Sequence, residues 1–233
     1  MNNAIKAFIF DLDGVIVDSA EYHYLAWAQL AEELGIPFDR SYNERLKGVS
    51  RMESLALILD NARDCKTYTT SEKMKLADRK NENYKQLIQR ITPEDLLPGI
   101  AKLLQDLRTA DIRIGLASAS HNAPLIVDLL QVTSYFDVIV DPGTLKKGKP
   151  DPEIFLTAAS LLGVTPDSCI GIEDAEAGIQ AIQRAGMFAV GVGDPVSMQA
   201  ADMVISHGNE MNYAHIVEYY RTMSKKSSDK RET

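Results

Sequence analysis

Short apolar runs recur along the chain, and segments with a helical spacing of apolar residues separate most of them. The first run, Ala7 to Phe10, stops abruptly at an acidic segment that ends in Gly14. Later runs of the same character lie at residues 112–117, 138–140, 169–172, 189–192 and 203–205. A short run that is apolar throughout is typical of a strand buried on both faces of a parallel sheet. The pattern therefore predicts an α/β protein with a Rossmann-like, doubly wound parallel sheet.

Residues 19 to 92 interrupt this alternation, because they have helical spacing throughout and contain no convincing strand. We therefore predict an all-helical cap domain at residues 18–92, inserted into a catalytic core that comprises residues 1–17 and 93–224. The chain ends in a polar and charged segment, residues 225–233, which we expect to be disordered.

Composition and charge restrict the class of partner. The formal net charge of −8 argues against nucleic acid, since a phosphate backbone requires a basic surface. The apolar runs are too short to cross a bilayer and the N-terminus does not resemble a signal peptide, so we expect no membrane partner and a cytoplasmic location. The two cysteines, Cys65 and Cys169, lie far apart, which is typical of a reducing compartment. No long exposed apolar stripe requires a second subunit, so we expect a monomer.

Polar residues follow several of the predicted strands, and open α/β sheets bind their ligands at the carboxyl ends of the strands. Together with one lysine in a later loop they form this set: Asp11, Asp13, Ser118, Lys149, Glu173 and Asp174. Several carboxylates at one edge would repel one another unless a cation bound them, and oxygen ligands beside phosphate favour Mg²⁺. A carboxylate beside magnesium and a lysine stays ionised and can attack phosphorus. The set therefore predicts a magnesium-dependent phosphoryl-transfer enzyme with Asp11 as its nucleophile.

The order of these residues resembles the four motifs of the haloacid dehalogenase superfamily, and the resemblance covers essentially the whole chain. It implies that Asp11 is the nucleophile and that Asp13 is the general acid/base, with its backbone carbonyl on the metal. The implied metal site comprises Asp11, Asp13, Glu173 and Asp174. The residues implied to hold the phosphoryl oxygens are Ser118, Ala119 and Lys149. An aspartate at position 13 favours phosphorus chemistry, because the family members that attack carbon do not need an acid/base there.

Three segments, residues 11–27, 46–51 and 79–84, resemble the hexose-phosphate mutases of this superfamily. The resemblance implies a small phosphosugar substrate, with β-glucose 1-phosphate and glucose 6-phosphate interconverted and β-glucose 1,6-bisphosphate as activator and intermediate. A mutase must hold a second phosphate away from the reacting one, and Arg51 suits this distal site because guanidinium binds phosphate bidentately. Ser50 and Asn122 would assist Arg51. The expected sugar contacts are Trp27, Lys47, Gly48, Val49, Lys80 and Asn81.

His23 has two interpretations that the sequence leaves open. It shares a helix face with Trp27 and Leu34, which favours a structural histidine packed within the cap. The family resemblance instead places it near the hinge, facing Asp13, as a catalytic residue that would couple cap closure to proton transfer. The same resemblance places His121 where the mutases carry lysine, which removes a permanent cation close to the distal phosphate.

A mutase and a phosphatase would share these motifs and differ in what removes the phosphoryl group from Asp11. Water removes it in a phosphatase. In a mutase a sugar hydroxyl must react with the aspartyl-phosphate before water does, which requires a closed site that excludes water. A sugar-phosphate phosphatase is therefore the alternative function. A non-catalytic phosphate-binding protein is disfavoured, because Asp11, Asp13, Lys149 and Asp174 are all present.

Overall fold

The computed structural model describes residues 4–46, 49–62, 67–206 and 211–229, with side chains described as far as Met223. Its strands are β1 (Ala7–Phe10), β2 (Arg113–Leu116), β3 (Val138–Ile139), β4 (Cys169–Glu173), β5 (Phe188–Val192) and β6 (Met203–Ile205). Its α-helices are α1 (Ala20–Glu33), α2 (Arg40–Asn43), α3 (Arg51–Asp60), α4 (Thr70–Ile88), α5 (Ile100–Thr109), α6 (Ala123–Leu129), α7 (Glu153–Leu162), α8 (Glu176–Arg184) and α9 (Tyr213–Asp229). The alternation of strands and helices predicted from the apolar runs is confirmed.

The strands form one parallel sheet, within the described part of the chain, in the order β3-β2-β1-β4-β5-β6. Strand β1 lies in the middle, with Ile9 opposite Gly115 of β2 on one side and Gly171 of β4 on the other. From β1 the chain adds strands first on one side, β2 and β3, and then on the other side, β4 to β6. Open α/β sheets bind ligands at the point between β1 and β4 where this direction changes. The doubly wound, Rossmann-like class is confirmed, and its topology puts Asp11 at the ligand-binding edge.

Side chains of β1 alternate between two apolar clusters. Phe8 and Phe10 enter the cluster that α5, α6 and α9 cover, whereas Ala7 and Ile9 enter the cluster beneath α7 and α8. Burying a side chain the size of phenylalanine or isoleucine stabilises the fold by about 1.5–3 kcal/mol. The strand that carries Asp11 is therefore held firmly on both faces.

The chain between β1 and β2 is helical from α1 to α4, and the described residues there contain no strand. These helices enclose an apolar cluster of their own, built around Trp27, Leu30, Leu55 and Ile58. The two connections to the sheet lie side by side, since Val17 pairs with Leu96 as an antiparallel bridge. The expected helical insertion is present, while the exact domain boundaries stay a prediction.

Helix α9 continues through residues 225–229, which the sequence suggested to be disordered. The reason is local, because residues 213–229 contain neither the proline nor the glycine that would end a helix. Residues 230–233 of the same segment lie outside the described residues. In the described ranges, no helix combines the length and the apolar character that a membrane span requires.

Candidate active site

A buried lysine links two of the carboxylates at the carboxyl edge of the sheet. Asp11 directly follows β1, and Glu173 is the last residue of β4. Nζ of Lys149, from the loop before α7, donates to Oδ1 of Asp11 at 2.5 Å and to Oε2 of Glu173 at 2.7 Å. All three side chains are buried, and pairing of this kind offsets the cost of burying their charges.

The electrostatics of this triad keep a cation beside the candidate nucleophile. Burial lowers the pKa of Lys149, but the carboxylates of Asp11 and Glu173 outweigh it, so the pKa lies above its ordinary value. Burial, followed by the charge of Asp11, raises the pKa of Glu173, and the ammonium of Lys149 opposes that shift. Lys149 therefore stays charged at neutral pH.

Three carboxylates could hold a metal ion beside this lysine. Asp11, Glu173 and Asp174 each offer an oxygen, and these oxygens lie within 4.8 Å of one another. Gly14 allows the carboxylate of Asp174 to lie this close to the chain after β1. Its φ is +75°, and a Cβ at this position would overlap Oδ2 of Asp174. Several carboxylate oxygens suit Mg²⁺, so the donor set fits the predicted ion. Asp13 was expected to contribute only its backbone carbonyl, and that contact stays a prediction.

Asp13 lines a cavity between the cap helices and the sheet, and 31% of its side-chain surface is exposed. Its carboxylate accepts a hydrogen bond from the hydroxyl of Ser19. Burial, followed by the charge of Asp11, raises the pKa of Asp13 to about 6, although Ser19 opposes the shift. A carboxyl group whose pKa is near neutrality can both donate and accept a proton. Asp13 therefore has properties that suit the proposed acid/base role.

His23 reaches the cavity from the cap. Its Nε2 is 3.9 Å from Oδ2 of Asp13, which is beyond hydrogen-bond distance, and its Nδ1 is 3.0 Å from Nζ of Lys80. Burial, followed by the charges of Lys80 and Arg51, holds the pKa of His23 well below its usual range, so the ring is neutral. The ring also packs on Tyr84, with 4.1 Å between ring centroids. His23 thus combines the packing of a structural histidine with a position beside Asp13.

Lys80 is buried among aromatic rings. Its Nζ lies 4.7 Å from the ring centroid of Trp27 and 4.5 Å from that of Tyr84. Burial, followed by the charge of Arg51, lowers the pKa of Lys80 to about 7. Sequence reasoning missed Tyr84, although its position four residues after Lys80 in α4 places both on one helix face.

One cavity connects the nucleophile with the predicted distal-phosphate site. The predicted residues that line it are Asp11, Asp13, His23, Trp27, Val49, Arg51, Lys80, Asn81, Ala119, Asn122 and Asp174. Between cap and core, Nδ2 of Asn122 donates to Oδ1 of Asn81 at 2.8 Å, and both side chains are buried. Ser54 also lines the cavity, and the sequence could have suggested it because it follows Arg51 by about one helical turn.

Two predicted phosphate-binding serines are not among the residues that line this cavity, and their roles stay predictions. The hydroxyl of Ser118 is buried and accepts from the backbone N–H of Ser120 at 3.1 Å. The hydroxyl of Ser50 caps α3 by accepting from the backbone N–H of Glu53 at 3.3 Å, and Ser50 lines a neighbouring cavity together with Lys149. Two predicted sugar contacts lie outside the described residues: Lys47 and Gly48.

Comparisons with known proteins agree with this geometry. Residues 5–186 match the family described as haloacid dehalogenase-like hydrolase. The chain is 58% identical to β-phosphoglucomutase of Bacillus subtilis over 89% of this chain and 92% of that protein. The crystal structure of β-phosphoglucomutase from Clostridium difficile superposes with a TM-score of 0.92 at 48% identity, covering 94% of this chain and 98% of that one. A fructose-1-phosphate phosphatase of Escherichia coli is 32% identical to this chain, over 82% of this chain and 98% of that protein. The chain therefore belongs to the haloacid dehalogenase-like hydrolase family.

Proposed function

We propose that this chain is a magnesium-dependent β-phosphoglucomutase, an isomerase that interconverts β-glucose 1-phosphate and glucose 6-phosphate through β-glucose 1,6-bisphosphate. The observation that carries the proposal is the single cavity that contains both Asp11 from the sheet and Arg51 from the cap. A cavity that contains both a nucleophile and a separate guanidinium suits a substrate with two phosphate groups. The 58% identity to the Bacillus subtilis mutase supports the same function.

The chemistry follows from the residues at the carboxyl edge. Asp11 attacks the phosphorus of the bisphosphate, a new O–P bond forms, and the bond from phosphorus to the sugar oxygen breaks. Asp13 supplies the proton that the leaving sugar oxygen takes up. In the return step, Asp13 accepts the proton of the sugar hydroxyl that attacks the aspartyl-phosphate. A magnesium ion held by the three carboxylates would offset the negative charge of the phosphoryl oxygens.

Lys149 and Arg51 have different parts in this scheme. Lys149 already contacts Asp11 and supplies a positive charge next to the phosphoryl group throughout the reaction. Arg51 is the first residue of α3, so the partial positive charge of the helix N-terminus adds to its own charge. Arg51 would bind the distal phosphate there, and Asn122, which lines the same cavity, would assist it.

Exclusion of water distinguishes a mutase from the alternative phosphatase. The buried hydrogen bond between Asn81 and Asn122 joins the cap to the core directly above the site. Such a contact favours a closed cavity in which a bound sugar hydroxyl, and not water, meets the aspartyl-phosphate. Proteins that are named phosphatases are also similar to this chain over most of its length, so the motifs at the strand ends do not by themselves decide between the two reactions.

Product analysis tests the proposal. The protein is incubated with β-glucose 1-phosphate, magnesium and a trace of β-glucose 1,6-bisphosphate, and glucose 6-phosphate is measured beside free phosphate. We expect glucose 6-phosphate to be the main product, whereas stoichiometric glucose and phosphate would identify a phosphatase. Arg51→Ala should lose the mutase reaction and keep slow hydrolysis of a small acyl phosphate. Arg79→Ala is the matched control, because Arg79 is an exposed cap arginine that pairs with Glu33.

A further inference from the structure

Lys149, the cation beside the nucleophile, is carried by a loop with little packing of its own. Residues 146–148, which precede it, are exposed, and so is Pro150 after it. Two of the three preceding residues are lysines, so the loop brings three ammonium groups together within four residues. Like charges so close together repel one another. Polar contacts must therefore hold this loop, because burial of apolar side chains does not.

The carboxylate of Glu153, the first residue of α7, supplies such contacts on the N-terminal side of Lys149. Its Oε1 and Oε2 both accept from the backbone N–H of Lys146 at 3.1 Å, and Oε2 also accepts from the N–H of Lys147 at 2.8 Å. Hydrogen bonds to an ionised acceptor are about twice as strong as neutral ones. The chemistry proposed above gives Glu153 no role, although its carboxylate holds the segment that leads to Lys149.

These bonds differ from those of an ordinary helix cap. Glu72 of α4 shows the ordinary case, because its carboxylate accepts from the N–H of Thr69, the N-cap of its own helix, at 2.8 Å. The carboxylate of Glu153 instead reaches seven and six residues back, to Lys146 and Lys147, which lie outside α7. Its hydrogen bonds therefore fix the loop and not the start of the helix.

Contacts on the other side of Lys149 complete this support. Nη1 of Arg184, from α8, donates to the carbonyl of Pro150 at 2.9 Å. The ammonium of Lys149 lies 5.2 Å from the ring centroid of Phe155, which belongs to the same helix as Glu153. Helix α7 thus contacts both the loop backbone and the charged end of the lysine.

We propose that Glu153 is a positioning residue for phosphoryl transfer, because it fixes the backbone that leads to Lys149 and so keeps the ammonium against Asp11. This inference rests on the proposed function and adds a residue to the same site. When Asp11 carries the phosphoryl group, the negative charge beside Lys149 moves from the carboxylate to the phosphoryl oxygens. The hydrogen bonds to Glu153 do not depend on that charge, so they can hold the lysine in one place throughout the reaction.

A double-mutant cycle tests whether Glu153 acts through Lys149. The variants are Glu153→Ala, Glu153→Gln, Lys149→Ala and the double variant of Lys149→Ala with Glu153→Ala. Each is assayed with magnesium for hydrolysis of acetyl phosphate, and for glucose 6-phosphate formed from β-glucose 1-phosphate. Glu72→Ala is the matched control, because it also removes a carboxylate that accepts from a backbone N–H at the start of a helix.

We expect Glu153→Ala to lower kcat for both reactions by about tenfold or more, because a displacement of about 1 Å can cost about a hundredfold. Glu153→Gln keeps one oxygen acceptor for the loop and should recover most of the loss. In the Lys149→Ala background, Glu153→Ala should cause less than about a twofold further loss, since no ammonium remains to be positioned. Unchanged kcat in Glu153→Ala, or an equal loss in both backgrounds, would overturn the proposal, as would an equal loss in Glu72→Ala.

Hydrogen exchange of backbone amides gives a readout without turnover, and it decides the test if Lys149→Ala does not fold or has no measurable rate. The N–H groups of Lys146 and Lys147 donate to Glu153, so we expect both to exchange at least about tenfold faster in Glu153→Ala. Exchange in β1 and β4 should not change. Unchanged exchange at the two lysines, or faster exchange throughout the sheet, would contradict the positioning role.

The two assays separate this inference from the proposed function. If the unmodified protein forms no glucose 6-phosphate, the proposed mutase function fails. Acetyl phosphate hydrolysis still tests Glu153 in that case, because a mutase and a phosphatase both form the aspartyl-phosphate at Asp11.

Discussion

Replacing Lys80 by methionine tests whether the cap contains a cation whose charge opposes folding. The lysine side chain is 3% exposed, and no carboxylate among the described residues forms an ion pair with it. Its Nζ instead contacts Nδ1 of His23 at 3.0 Å and lies over the rings of Trp27 and Tyr84. Methionine has a similar volume and no charge, so it should fill the same space without the cost of desolvating an ammonium.

The magnitude follows from the difference between the folded and unfolded pKa of Lys80. Burial lowers this pKa from 10.5 to about 7 in the folded state. Between these values the unfolded chain binds more protons than the folded one, so stability rises as pH rises from about 7 to 10.5. Well below that window the full penalty applies, which is about 5 kcal/mol at about 1.4 kcal/mol per pKa unit. At pH 7, where about half of the folded molecules have released this proton, about 4 kcal/mol of the penalty remains. Contacts of the ammonium with the two aromatic rings offset about 1–2 kcal/mol of it.

We therefore expect Lys80→Met to raise the free energy of unfolding by about 2–3 kcal/mol at neutral pH, and by much less near pH 10. Urea unfolding followed by the fluorescence of Trp27 measures this, because that tryptophan lies in the cap's own apolar cluster. Lys75→Met is the matched control, since Lys75 is an exposed lysine of the same helix, α4. Mutase turnover should fall in Lys80→Met and persist in the control.

Two results would refute this reasoning. A lower stability of Lys80→Met at pH 7 would mean that the contacts with His23 and the rings outweigh the cost of burial. If Lys80→Met raised the free energy of unfolding equally at pH 7 and pH 10, the effect would come from packing and not from charge. The difference between the two pH values, corrected with the Lys75→Met control, is therefore the decisive quantity.

The other predictions concern the nucleophile, the metal site and the joint between cap and core. Asp11→Asn removes the attacking carboxylate, so a coupled assay should detect no glucose 6-phosphate above background, and substantial turnover would exclude this nucleophile. Gly14→Ala places a methyl group on Asp174, so calorimetry should show magnesium binding weakened by about tenfold or more, and unchanged affinity would contradict the metal site. Asn122→Asp sets a carboxylate against the Asn81 oxygen and should raise KM for β-glucose 1-phosphate by about tenfold. Asn81→Asp keeps an acceptor there and should change KM less.

The sheet and its acidic edge could be predicted because both depend on local sequence. The run from Ala7 to Phe10 became β1 with the predicted bounds, since an unbroken apolar run can be buried only where both faces are covered. Once that strand was central and parallel to its neighbours, Asp11 and Glu173 had to meet at its carboxyl end. Topology then brought Lys149 to both of them across a large separation in sequence.

The environment of the cap residues could not be predicted, because it depends on how helices distant in sequence pack together. A lysine in a long polar helix is usually solvated, yet packing of α1 against α4 buries Lys80 between Trp27 and Tyr84. The sequence analysis did not foresee that the hydroxyl of Ser50 caps α3, and its assistance with phosphate stays a prediction. Nothing in the order of residues indicates that Asn122 and Asn81 form a buried hydrogen bond.

The information that separates a mutase from a phosphatase therefore lies where the two parts of the chain meet, and not in the motifs. Asp11 and its neighbours at the strand ends can form an aspartyl-phosphate in either kind of enzyme, and this chain is similar to proteins with both names. What differs is access of water, which depends on the distance between the cap and the core. In this chain the buried hydrogen bond from Nδ2 of Asn122 to Oδ1 of Asn81 joins the cap to the core beside the cavity that contains Asp11. A variant that changes this contact should shift the ratio of glucose 6-phosphate to inorganic phosphate without changing the nucleophile.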